Sequence, residues 1–337
     1  MRFVIFGAGA IGGLVGARLH QSGQEVLLIA RGAHHDAIAR DGLTLVTPTE
    51  RETLKLPVAR DAATAALRED DVILLCVKSQ DTWGALLALH DAAPSPDIPI
   101  VCMQNGVENE RVSLRLFPNT YGAMILIPAD HLEPGVVLGY ASNYSGCIDL
   151  GRYPHGVDAA TERIAAALNG ARFDTAAHPQ VMDSKYGKLL SNLGNGIQAI
   201  CGMDDRAANA AASERAEQEA RTILNAAGIT FDASNIQQRW QRVEIGVVDG
   251  RPREGGSTWQ SVKRGAGSVE TDYLNGEIVL LARELGLKAP VNETVQSLTR
   301  ETLVRGLQPG WLSASELIAR ADELIERADG RSSAPQP

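Results

Sequence analysis

GAGAIG, residues 7–12, has the spacing G-x-G-x-x-G, and its neighbours decide what that spacing means. Before it, residues 2–6 (RFVIF) form a short apolar run ending at glycine, the pattern of a buried strand. After it, residues 10–22 (AIGGLVGARLHQS) place Ile11, Leu14, Val15, Arg18 and Leu19 at helical spacing, and Gly23 stops the helix. Residues 25–30 (EVLLIA) read as a second strand. Strand, turn, helix and strand in about thirty residues make a βαβ unit. There Gly7 permits the tight turn, Gly9 lets backbone approach a pyrophosphate, and Gly12 lets helix pack against strand. With Ala8, Ala10 and Ile11 they form a turn whose N–H groups and positive helix end face an anion. The competing reading is a glycine-rich turn that binds nothing; the flanking strand and helix favour the dinucleotide.

The second strand ends at Ala30-Arg31. An NAD enzyme has an Asp or Glu near this point to accept from the ribose 2′-hydroxyl. Here an arginine takes that place, and a guanidinium forks onto a 2′-phosphate. NADP(H) is therefore favoured over NAD(H), the alternative being that Arg31 is a solvated loop residue.

The alternation continues downstream. Residues 33–40, 62–67 and 82–89 read as helices, and 43–46, 54–58, 71–77 and 98–103 as strands. The fold class is α/β, with an N-terminal Rossmann-type doubly wound sheet. From 120 to 153 strand-like runs broken by Gly, Pro and Asn point to antiparallel additions. A helix over 157–168 and a strand near 172–175 close this half. From 181 the texture turns helical. The expected organisation is an NADP-binding domain over 1–178, an α-helical substrate domain over 179–328, and a disordered polar tail over 329–337.

Bulk composition sets limits. The chain has 337 residues, 44% hydrophobic and 22% charged, which suits two globular domains. No apolar run is long enough to span a bilayer, and the N-terminal run lacks a signal-peptide cleavage site, so a cytoplasmic protein with no membrane association is expected. The net charge of −9 argues against a nucleic-acid partner. Cys76, Cys102, Cys147 and Cys201 form no C-x-x-C pair and the histidines are scattered, so no metal site is expected.

Five further positions carry chemistry by placement. Lys78 follows the strand over 71–77, and the carboxyl ends of parallel strands line the ligand crevice. Asn105 follows the strand over 98–103; its amide both donates and accepts, which suits a nicotinamide or a substrate, although Asn-Gly is also a common turn pair. Lys188 and Asn192 lie four apart on a predicted helix, with Asn195 about 20° from Lys188 around it. That row carries one cation and two amides, fit to meet the negative charge that builds on a ketone oxygen during reduction; a solvated helix face is the bland alternative.

Taken together, these stretches resemble the ketopantoate reductase (2-dehydropantoate 2-reductase) family. The resemblance rests on GAGAIG (7–12), ARGAH (30–34), CVKSQDT (76–82), QNGVENE (104–110), KYGKLLSN (185–192) and SVETDYLNGE (268–277), in this order over nearly the whole chain. It implies NADPH-dependent reduction of the ketone of ketopantoate to D-pantoate, a step toward pantothenate. It implies Lys188 as general acid and Glu270 as the carboxylate that holds the lysine or binds the new hydroxyl. Thr258 falls where the family has a serine that contacts the substrate carboxylate. The family has a second asparagine four residues after the one at Asn192; this chain has Gly196 there, and a gap in the substrate site is expected. The implied partner is a small 2-oxo acid, with a homodimer allowed. Two alternatives remain: a reductase of a different 2-oxo acid, and a non-catalytic NADP(H) sensor.

Overall fold

The computed structural model describes residues 1–332 of the chain. Its elements run β1 (Arg2–Phe6), α1 (Ala10–Gln21), β2 (Glu25–Ile29), α2 (Gly32–Asp41), β3 (Leu43–Val46), β4 (Arg51–Leu54), β5 (Val58–Ala59), β6 (Asp71–Leu75), α3 (Thr82–Ala92) and β7 (Ile100–Cys102). Then come α4 (Asn109–Leu114), β8 (Thr120–Leu126), β9 (Ala129–Asp130), β10 (Val136–Gly139), β11 (Cys147–Arg152), α5 (Ala159–Gly170) and β12 (Asp174–Ala177). The remainder is helical: α6 (Val181–Asn192), α7 (Gly194–Cys201), α8 (Arg206–Ala226), α9 (Ala233–Trp240), α10 (Ser257–Lys263), α11 (Asn275–Glu284), α12 (Pro290–Val304) and α13 (Ala314–Ser332).

The main sheet has the order β12-β11-β8-β7-β6-β1-β2-β5. From β5 to β8 every pairing is parallel. Numbered by appearance within that sheet, those six strands read 3-2-1-4-5-6, the doubly wound dinucleotide order. The switch point lies between β1 and β6. Alternation along β1 divides two cores: Phe3 and Ile5 join one apolar cluster, Val4 and Phe6 the other. A strand buried on both faces explains the uninterrupted apolar run of RFVIF. β11 runs antiparallel to β8. β10 instead pairs with β3 and β9 in a second, four-stranded sheet, β4-β3-β10-β9.

Two expectations change. Residues 62–67 form turns, not a helix. Asp61 accepts from the Thr64 N–H at 2.9 Å and the Thr64 hydroxyl at 2.8 Å, and Ala66 takes φ +45°. The Asp61 bond is the kind that starts a helix, but the left-handed Ala66 ends the turn at once. At the other end, α13 continues to Ser332, so 329–332 are helical; no proline intervenes before Pro335 to stop the helix. The rest of the expected tail, 333–337, lies outside the described residues.

The domain boundary also differs. One compact unit comprises Met1–Gly187 with Phe231–Arg253; the other comprises Lys188–Thr230 with the chain from Glu254 onward. The start of α6 stays with the first unit because Lys185 is anchored there. Its ammonium lies 2.5 Å from the Glu110 carboxylate and donates to the Gln104 carbonyl at 3.0 Å. α9 returns to that unit through Arg239, whose guanidinium meets Asp149 at 2.8 Å and Asp174 at 2.9 Å. Arg242 adds a second contact to Asp174 at 2.9 Å, and Asn235 donates to Asp149 at 2.6 Å. Among the described residues no helix is long and apolar enough to cross a membrane.

Candidate active site

In the first unit the phosphate turn leaves β1 with Gly7 at φ +100°, a conformation that favours glycine. The N–H groups of Gly7 and Ala8 both donate to the Ile29 carbonyl at 3.1 Å, which ties the turn to β2. A Cβ at Gly12 would strike the Gly7 carbonyl oxygen and lie 2.8 Å from Ile5. A Cβ at Gly9 would meet nothing within 4 Å. The two glycines thus do different work: Gly12 allows helix to touch strand, and Gly9 keeps the outer face of the turn open. No side chain caps α1 at Gly9, and its first turn, Ala10, Ile11 and Gly12, holds no acid. That geometry and charge suit a pyrophosphate.

Arg31 is exposed at the N-terminus of α2, with no acid in the first turn of that helix. Lys78 is half-buried two residues beyond Cys76, at the end of β6 beside the switch point. Asn105 is half-buried in the turn after β7, where Gly106 takes φ +79°. The Lys78 and Asn105 turns are joined by a network the sequence reading missed. Asn109 donates to the Asn105 carbonyl at 3.1 Å and to the Ser79 hydroxyl at 3.2 Å. Thr82 donates to Asn109 at 2.7 Å and accepts from Gln104 at 3.1 Å. Below them lies the buried pair of Glu110 and Lys185. Burial pushes the Glu110 carboxyl upward, against the pull of the Lys185 charge. The signal that would have found this pair is a lysine on an otherwise apolar helix face together with the acid three residues after QNGV.

The second unit holds the helical row. Lys188 is half-buried and Asn192 buried, one turn apart on α6. The Asn192 side-chain nitrogen is fully buried, with no hydrogen-bond partner among the described residues. α6 and α7 join at Leu193, which keeps helical angles (φ −62°, ψ −30°). Asn195 faces the start of α10: its side-chain oxygen lies 2.6 Å from where a Cβ would stand on Gly256. The Gly256 N–H donates to Gln198 at 3.0 Å, and Thr258 is buried in the first turn of α10. The row and the Thr258 segment are therefore neighbours. Glu270 is half-buried just before α11. Asn275, five residues on, donates to the Leu193 carbonyl at 3.2 Å and to Asn292 at 3.0 Å. Asn292 donates in turn to Glu219 at 2.9 Å, and that carboxylate also caps the start of α12.

A family model described as ketopantoate reductase PanE/ApbA matches residues 3–154, and one described as ketopantoate reductase PanE/ApbA C terminal matches residues 180–302. The chain belongs to the ketopantoate reductase family. It is thereby an oxidoreductase by family. The 2-dehydropantoate 2-reductase of Pyrococcus horikoshii is 30% identical over 313 residues, covering 89% of this chain and 97% of that protein. The enzyme of the same description from Halobacterium salinarum is 28% identical over 316 residues, 89% of this chain and 98% of that one. Among solved structures, the PanE/ApbA family ketopantoate reductase of Ralstonia eutropha is 28% identical with a TM-score of 0.75, covering 91% of this chain and 99% of that chain. A D-mandelate dehydrogenase solved with NADH and anilino(oxo)acetate shares the fold, at 23% identity and a TM-score of 0.77 over 91% of this chain and 99% of its own.

Within this ketopantoate reductase fold the expectation for Gly196 is corrected. A Cβ there would lie 2.5 Å from Val295 Cγ1, 3.3 Å from Thr299 and 3.4 Å from Asn275. Position 196 faces α12, so the missing side chain leaves no gap in a ligand site. The glycine is there because α12 packs against α7 too closely for any larger residue.

Proposed function

We propose that the chain is an NADPH-dependent 2-dehydropantoate 2-reductase that reduces the ketone of ketopantoate to D-pantoate. Its relatives by sequence carry that activity in their names. The dinucleotide, when bound, supplies the hydride. Gly7 to Gly12 cradle its pyrophosphate, and the open face at Gly9 fits that group. Arg31 pairs with the 2′-phosphate, a group that an Asp or Glu at this position would repel. Lys78 and Asn105 orient its nicotinamide end.

The second unit handles the carbonyl. Lys188 stabilises the charge that grows on the ketone oxygen and delivers the proton to it. Glu270 holds the lysine or receives the new hydroxyl. Asn192, Asn195 and Thr258 bind the acid. The buried, unpartnered amide nitrogen of Asn192, one helical turn from Lys188, carries this reading. Leaving such a donor unmet costs about 1–3 kcal/mol, and a substrate oxygen removes that cost. A non-catalytic sensor needs neither this donor nor Lys188.

The test is loss of nicotinamide absorbance when purified protein receives NADPH and ketopantoate. Turnover is expected; NADPH binding without turnover on ketopantoate sinks the proposal. A second reading, reduction of a different 2-oxo acid, draws on Asn195, which faces Gly256 while position 196 faces α12. A panel of 2-oxo acids in which a bulkier, non-hydroxylated acid outruns ketopantoate favours it.

A further inference from the structure

His34 stands three residues after Arg31, in the first turn of α2, and both its ring nitrogens are committed. Nε2 lies 2.7 Å from the Ala8 carbonyl oxygen. Nδ1 lies 2.9 Å from the Gly135 backbone nitrogen and 3.0 Å from Nε2 of His131. The two imidazoles meet edge to face, with centroids 4.1 Å apart. A backbone N–H can only donate, so Nδ1 of His34 is an acceptor and carries no proton. Nε2 therefore holds the hydrogen and donates it to Ala8. The tautomer and the neutral charge follow from the partners alone.

Ala8 is the second residue of the phosphate turn. Its N–H is held by β2 through Ile29 and its carbonyl by His34. One ring thus ties the turn that faces a pyrophosphate to the helix start that bears Arg31. The segment 131–135 completes the clamp from the second sheet. It carries His131 and Glu133, with Asp130 buried just before it. On α2 itself, His35 pairs with Asp36 at 3.0 Å, and Arg60 holds Asp36 at 2.8 Å. The described hydrogen-bond partners of the His34 ring are a carbonyl, an N–H and an imidazole, with no carboxylate among them. Burial accordingly disfavours its protonated form and lowers its pKa, the bond to Ala8 opposing weakly.

We propose that neutral His34 is a positioning residue for the dinucleotide, fixing the distance between the phosphate turn and Arg31, and that protonating it releases that hold. A proton on Nδ1 sets N–H against the N–H of Gly135, so the clamp opens on one side. The consequence is selective. A cofactor that uses both the turn and Arg31 depends on their spacing; one without a 2′-phosphate uses the turn alone. The sign follows from the neutral form being the one the fold holds. The clamp is complete above the ordinary imidazole value of about 6.5 and is lost as the pH falls.

This inference rests on the NADP(H) reading above. The test titrates wild type, His34→Leu and His34→Gln with NADPH and with NADH, by calorimetry at pH 7.5 and 5.5. Glutamine offers an amide N–H to Ala8 and an oxygen to Gly135, and it does not titrate. Leucine should weaken NADPH about tenfold, the loss of a buried hydrogen bond, with a smaller effect on NADH. Glutamine should keep NADPH affinity and flatten its dependence on pH. Equal NADPH affinity and an unchanged NADPH-to-NADH ratio in the leucine variant would overturn the proposal. So would a glutamine variant as sensitive to pH as wild type. Should the leucine variant not fold, the glutamine profile decides. Wild type binding NADH as tightly as NADPH defeats the cofactor reading instead, a result separate from either variant's.

Discussion

The phosphate turn and the polar row of α6 are built by opposite means. The turn makes its contacts with backbone: Gly7 bends, Gly9 opens and Gly12 yields room, and no side chain in GAGAIG is polar. The row makes its contacts with side chains, Lys188 and Asn192, on an otherwise unexceptional helix. A backbone site is a matter of spacing, and its three glycines carry it while the residues between them add no polar group. A side-chain site depends on what distant segments bring to it. Asn275 and Asn292 reach Leu193 and Glu219 from far along the chain.

Substitutions can break that contrast. The largest effect is expected for Lys188→Ala, which removes the proposed acid: kcat for NADPH-dependent ketopantoate reduction should fall about a thousandfold. Calorimetric NADPH affinity should stay near wild type, because the turn and Arg31 are untouched. Unchanged turnover would return the row to a mere helix face.

Next comes Lys185→Met. It leaves Glu110 buried without its cation, which costs about 3–5 kcal/mol. Thermal unfolding should report the loss. Burial already raises the Glu110 pKa. A raised carboxyl favours the neutral form, so the variant's stability should be present below the ordinary value of about 4.3 and fall as the pH rises toward 7. Adding Glu110→Gln should recover much of it. A Tm independent of pH would mean that the pair matters little.

Gly196→Ala sharpens the comparison from the helical side. The new methyl would press on Val295, and overpacking of this kind costs about 1–3 kcal/mol. Tm should drop while NADPH affinity holds. The smallest effect on folding belongs to Gly9→Ala. Its methyl meets no protein atom, so Tm should match wild type while NADPH binding weakens. A Tm loss at Gly9 comparable to that at Gly196 would erase the distinction between the two glycines.

This division also explains what the sequence made legible. GAGAIG, its flanking strand and helix, and the alternation of strands and helices follow from local periodicity and punctuation; the strand order came only with the pairings. Residues 62–67 misled because their alanines and the Asp61 cap suit a helix, whereas the left-handed Ala66 ends it after one turn, which no periodicity reveals. Lys188, Asn192 and Thr258 were visible as residue types in order, through likeness to a family. The network of Ser79, Thr82, Gln104 and Asn109 was not, since its members lie up to 30 positions apart and look like ordinary polar turn residues. Gly196 read as a gap in the substrate site in one dimension and is a packing contact in three.

The return of 231–253 to the first unit bears on how this protein can be engineered. The chain passes between its two units after Gly187, after Thr230 and after Arg253. A fragment ending at 187 would lack Arg239 and Arg242, stranding Asp149 and Asp174 without the guanidinium groups that meet them. No single splice therefore yields an interchangeable cassette. Swapping the helical unit between relatives calls for two inserted pieces, with the stretch that carries Arg239 left in its original host.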